Sequence, residues 1–234
     1  GEHLLMRCIK FLSANHCFSQ NFSILANWTF SHCLDQADGS NDLAFPQYMI
    51  PNNRNRDYGN CTYDHRHIVN TSFLYSTPSN WSNAWVRRIV GGWEFSTIFS
   101  AYSGDYLNPS AGQDNSRTGV GNDRPNVSGP SLLSDRTIAR FFNTSVFSQA
   151  PLGTFGNAGR NTILGPSFVN FDLGVGRRVR FVESKEFELR FEFFNVLNHP
   201  NFNDPSTTLT SANFGRLTSA ADPRIIQLSA KLHF

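Results

Sequence analysis

Apolar and polar residues alternate along six stretches of this chain with the two-residue period of an extended strand. Phe22, Ile24, Ala26, Trp28 and Phe30 alternate with Ser23, Leu25, Asn27, Thr29 and Ser31, and Leu25 alone breaks the order. Val69, Thr71, Phe73 and Tyr75 alternate with Asn70, Ser72 and Leu74. Trp93, Phe95, Thr97, Phe99 and Ala101 alternate with Glu94, Ser96, Ile98 and Ser100. A fourth stretch sets Val169, Phe171, Leu173, Val175, Val179 and Phe181 opposite Asn170, Asp172, Gly174, Gly176, Arg178 and Arg180. A fifth sets Phe187, Leu189, Phe191 and Phe193 opposite Glu186, Glu188, Arg190 and Glu192. The last sets Ile226, Leu228, Ala230, Leu232 and Phe234 opposite Gln227, Ser229, Lys231 and His233. Each predicts a strand with one apolar and one polar face.

The connections alternate in length. Thr77 to Ala84 reads as a short Pro/Asn/Ser turn and Val182 to Lys185 as a tight hairpin, whereas Leu34 to Tyr63, Ser103 to Ser167 and Asn198 to Pro223 are long. Loops beyond roughly 12 to 15 residues are uncommon in compact domains unless they serve a function. Outer-membrane barrels combine short periplasmic turns with long external loops. The expected fold is therefore all-β: part of an antiparallel up-and-down transmembrane β-barrel, with about six strands in an open sheet and long external loops. A soluble β-sandwich with large loops is the alternative.

Composition narrows the field. The chain has 22 Phe and 4 Trp but is only 16% charged, and its mean hydropathy is −0.34. No run approaches the roughly 20 apolar residues of a membrane-spanning helix, so any spanning segment is a strand. A net charge of +2 with no Lys/Arg run offers no track for a phosphate backbone, which argues against nucleic acid as a partner. Arg178 and Arg180 share a face with Glu186, Glu188, Arg190 and Glu192 of the next strand, a ladder that a hairpin brings together across strands. Facing hydrocarbon, each mid-bilayer Arg would cost roughly 2 to 4 kcal/mol, so the ladder is expected to line a wet lumen.

Other residues suggest chemistry more weakly. Cys33 and Cys61 flank the first long loop and are expected to form a disulfide, with free thiols as the alternative; Cys8 and Cys17 have no assignment. No C-x-x-C spacing of a zinc site occurs, and Asp64, His65 and His67 alternate along one strand, which suits polar anchoring better than a metal. Asp114, Asn115, Asn122, Asp123 and Arg124 in the longest loop offer a set of ligand contacts without calcium-loop spacing. Seven Asn-x-Ser/Thr triplets follow from the Asn/Ser/Thr-rich composition. The sequence lacks the nucleophile-elbow, P-loop, dinucleotide and zinc-protease motifs, so neither an enzyme nor a cofactor is expected.

One series of motifs resembles a known family. Gly153-Thr-Phe-Gly-Asn-Ala-Gly-Arg-Asn161, Asn170-Phe-Asp-Leu173, Phe191-Glu-Phe-Phe-Asn195 and Asn198-His-Pro-Asn-Phe202 are similar to the C-terminal barrel of Oar-like TonB-dependent receptors. Gly119-Val-Gly-Asn-Asp-Arg-Pro125, Asn213-Phe-Gly-Arg216 and Asp222-Pro-Arg224 follow the same order, over residues 18–234. The resemblance implies a receptor of the bacterial outer membrane whose plug and remaining strands lie outside this chain. Its partners would be the bilayer, the TonB complex through that missing N-terminal part, an unknown substrate, and the barrel assembly machinery, which would read Leu228, Leu232 and Phe234. The expected function is energised uptake of a large or scarce substrate; the alternatives are a surface or adhesion protein without transport and a soluble β-sandwich binding module. Residues 1–17 depart from the family pattern and read as an atypical lead-in.

Overall fold

A computed structural model describes residues 6–19, 21–36, 48–50, 53–119, 121, 123–182 and 185–234. Seven long strands follow one another: β1 (Met6–Ser19), β2 (Phe22–Asp35), β3 (His67–Ser76), β4 (Trp93–Tyr102), β5 (Phe168–Val182), β6 (Lys185–Phe194) and β7 (Ile225–His233). Each pairs antiparallel with its sequence neighbour, in the order β1-β2-β3-β4-β5-β6-β7, and the short strand Gly59–Asn60 joins the outer end of β2 to complete an eight-stranded sheet. The path ends at β1 and β7, which do not pair with each other.

Two sequence expectations need correction. Of the lead-in set apart as residues 1–17, residues 6–17 form, with Phe18 and Ser19, a full strand paired with β2 from Met6 opposite Leu34 to Ser19 opposite Phe22, with one slip between Cys17 and Ser19. Alternation hid it. Adjacent Phe11 and Leu12 fall on opposite faces, 65% and 64% exposed, so the strand is specified by the hydrogen-bonding edge of β2 rather than by its own pattern. The turn after β3 is also longer than Thr77–Ala84: it runs to Gly92 and contains a helix, α1 (Ala84–Ile89), whose first turn is capped by Asn83 accepting from Trp85 N and Val86 N.

Register makes each face continuous. On one, Phe22, Tyr75, Phe95, Val175, Phe191 and Leu228 stand side by side across β2 to β7, and Ile24, Phe73, Thr97, Leu173, Phe193 and Ile226 form the next row. On the other, Ser76, Glu94, Gly176, Arg190 and Ser229 align, with Arg178, Glu188 and Lys231 below them. A single-residue slip would exchange the faces, so a two-sided pattern this long holds the register.

Neither face is covered. Among the residues of the seven long strands whose burial is described, only Cys33 and Asp35 are buried, while Phe181, Ile226 and Leu228 are more than 60% exposed. The buried apolar residues otherwise lie in the connections: Phe141, Phe142, Phe147, Ala158, Ile163 and Leu217 among them. A sandwich needs a second layer over its apolar face, and none is present among the described residues. The core sits in the loops and the sheet is bare, the reverse of a water-soluble β-domain.

Candidate functional site: an outer cap and a rim pocket

All three long connections leave the sheet at the same end, and they fold together into one cap. Its apolar centre is Phe142, Phe147 and Phe214, mutually edge-to-face with ring centroids 5.2 to 5.9 Å apart, packed beside Ile163. Two short pairings, Tyr106–Leu107 with Ile163–Leu164 and Asn126–Val127 with Phe147–Ser148, give it order.

Ionic and covalent ties fasten this cap to the end of β2. Cys33 and Cys61 are joined by a disulfide with Cα atoms 5.5 Å apart, across a sequence separation of 28. The buried Arg160 guanidinium pairs with Asp35 and donates to Asp35 O at 2.9 Å, and burial pulls its pKa down to about 10. Arg124, also buried, donates to Asp57 Oδ1 at 2.5 Å, to Arg56 O at 2.8 Å and to Ala158 O at 2.9 Å. Asn161, at φ +53°, exchanges side-chain hydrogen bonds with Asn60 at 2.5 and 3.2 Å.

These contacts give the motifs singled out in the sequence a physical reading. In Gly153–Asn161 the middle glycine allows close approach: a Cβ on Gly156 would lie 2.0 Å from Arg124 O. Ala158 is fully buried and receives Arg124, and Arg160 and Asn161 clasp the first long loop. At the end of β6, Asn195 takes φ +49° and caps the turn by bonding His199 N and O at 2.9 Å, while its own N–H donates to Asp172 Oδ1. Asn201 then mimics a strand residue, pairing with Val169 N and O at 2.9 Å each.

The predicted ligand-contact set is woven into the same scaffold. Asp114 accepts from Thr118 N, Gly119 N and Ser116 Oγ; these bonds, that from Gly119 foremost, hold its pKa below the ordinary range. Asp123 accepts from Ser116 N and Oγ at 2.6 and 2.9 Å, Asn115 is buried against Gln149, and Arg124 is spent on Asp57. Asn122 lies outside the described residues. Four of the five thus have partners inside the cap, and scaffolding is the role their geometry supports.

A pocket that sequence reasoning missed opens where the polar face meets the cap. Its volume is about 350 Å³, and Tyr102, Asp105, Phe168, Asn201, Phe202 and Asp204 line it. Tyr102 and Phe168 are register partners stacked at 4.6 Å, and His65 leans on Tyr102 from the other side. His65 Nδ1 lies 2.8 Å from Ser103 O and 3.3 Å from Asp105 Oδ1. Lost solvation and the charge of Asp105 push the Asp204 pKa up, against the pull of His65. The signal was present but split, because these residues come from four separate segments of the chain.

His67 points to the opposite face, against Trp28 and Phe30, so the histidines form no common site. The one metal-like grouping among the described residues, Cys33, Asp35 and Cys61, has both sulfurs in the disulfide. Lower on the polar face the charge ladder has its pairs: Arg178 to Glu186 and Glu188, Arg180 to Glu186, His233 to Glu188, and Arg190 to Glu192 at 3.1 Å. Arg178, Glu188 and Arg190 border a second cavity, of about 330 Å³. Leu228, Leu232 and Phe234 are exposed, and Leu228 and Leu232 stand in the apolar rows of the last strand.

A bare apolar face, a charged opposite face and one structured end suit a sheet with lipid on one side and water on the other. No characterised protein matches the chain. The outer membrane beta barrel domain family matches residues 11–227, nearly the whole chain, so this chain belongs to that family and its place is the bacterial outer membrane.

Proposed function

We propose that this chain is the C-terminal, ligand-facing part of a TonB-dependent receptor that takes up an oligosaccharide, peptide or metal chelate. The observation that carries the reading is the cap: three long connections share one core, one disulfide and two buried ion pairs, and hold a polar, aromatic-walled pocket at the rim of the wet face. A barrel that only sealed the membrane would have no need of so ordered an outer end. Pockets of this kind, apolar walls with a few fixed polar groups, are the usual form of a small-ligand site. The series of Oar-like motifs, of which Gly153–Asn161 latches the cap, adds the energised receptor class to this reading.

Cells that carry the receptor gene, with and without an intact TonB gene, supply the test. Fluorescein-labelled oligosaccharide and peptide pools should enter the periplasm of the first and stop at the surface of the second. Binding without entry in both strains would favour the surface or adhesion alternative.

A further inference from the structure

At the end opposite the cap, helix α1 (Ala84–Ile89) leaves the sheet and turns back over its apolar face. Three contacts fix that side. Trp93 Nε1 donates to Ile89 O at 2.8 Å, and the Arg177 guanidinium donates to Arg88 O and to Ile89 O. Trp93 and Arg177 are register partners in the same face as Phe95 and Val175, and Arg177 stacks over the Trp93 ring at 5.2 Å. Asn83 and Arg177 thus cap the two ends of one short turn of helix and fix it to the edge of the lipid-facing surface.

What α1 leaves in the open is unusual for so short an element. Trp85 is 71% exposed, Ile89 63% and Val90 44%, while Arg87 and Arg88 are exposed and lack an acidic partner among the described residues. Trp85 and Ile89 are four residues apart and share a helix face. Apolar rings and aliphatic groups beside free guanidinium groups are the composition of a segment lying in a membrane interface.

We propose that α1 is an interfacial anchor: Trp85, Ile89 and Val90 enter the acyl boundary of the periplasmic leaflet, and Arg87 and Arg88 bind the phosphates of anionic phospholipid headgroups there. The surface continues the apolar face of the sheet, whose neighbour is lipid, and its charge is complementary to that headgroup. The inference rests on the orientation in which the cap faces outward. Arg177 acts by positioning, holding the helix against the sheet through its carbonyl groups.

The chain in neutral detergent micelles doped with brominated phosphatidylglycerol or brominated phosphatidylcholine provides the test, read by tryptophan quenching. Phosphatidylglycerol should quench at the lower lipid fraction. Replacing both arginines, Arg87→Gln with Arg88→Gln, should raise the fraction required by roughly 25-fold, about fivefold for each charge, and Trp85→Phe should remove most of the headgroup-dependent signal. The control Arg178→Gln with Arg180→Gln, equal in charge but on the polar face, should leave the preference unchanged. Equal quenching by the two lipids, an equal effect of the control, or abolition of the preference by inorganic phosphate would overturn the proposal. Lipids brominated at the acyl terminus report the sheet separately: loss of that quenching indicts the lipid-facing sheet, and its retention without headgroup preference indicts the helix alone.

Discussion

At the residue scale, Asp204 offers the clearest dependence on pH. Its folded-state pKa lies above the ordinary aspartate value because its carboxyl loses solvent and faces Asp105. The protonated form is the one the fold favours, so this group's contribution is fully present below the unfolded pKa and is lost as pH rises through the raised one. Once the proton is lost, its charge is poorly solvated and repelled by Asp105. Asp204→Asn, which keeps the shape and removes the charge, should raise the melting temperature of the chain in detergent at pH 7. Relative to the variant, the wild type should lose stability between pH 4 and pH 7. Parallel melting curves across that range would contradict this account of the pocket.

The strands show what a sequence specifies most openly. Where one face meets lipid and the other water, every second residue is constrained, and Phe187 to Phe193 or Ile226 to Leu232 can be placed by alternation alone. β1 could not be, because Phe11 and Leu12 share the apolar character and its place comes from pairing with β2. Helix α1 was hidden by its length: one turn capped by Asn83 has no period to read. The pocket was hidden by distance along the chain, His65, Asp105, Phe168 and Asp204 meeting only once the long connections fold. Among those connections the segment Gly153–Asn161 acts as the latch, and it leaves no room for a side chain at Gly156. Gly156→Ala should cost about 3 kcal/mol, the upper part of the range for overpacking, and should expose the Arg124 and Arg160 ties to proteolysis. Wild-type resistance of the cap to trypsin in the variant would show that the latch yields more easily than its geometry implies.

Across the whole molecule, two regions are built on different principles. The cap is a small water-facing fold with its own aromatic core, disulfide and buried ion pairs; the sheet has bare faces, and its stability depends on what surrounds it. In hydrocarbon, an unpaired strand edge strands backbone N–H and C=O groups at several kcal/mol each. The outer edges of β1 and β7 therefore call for further strands beside them in the membrane, whichever polypeptide supplies them.

The central claim, that one face of the sheet meets lipid and the other water, is tested most directly by single cysteines along β7 in the membrane-embedded protein, with Cys8 and Cys17 replaced by serine. Cysteines at Ile226, Leu228 and Leu232 should resist a membrane-impermeant maleimide, and those at Gln227, Ser229 and Lys231 should react with it. A two-residue period in that phase is the predicted result. Uniform labelling along the strand, or the same period in the opposite phase, would contradict it.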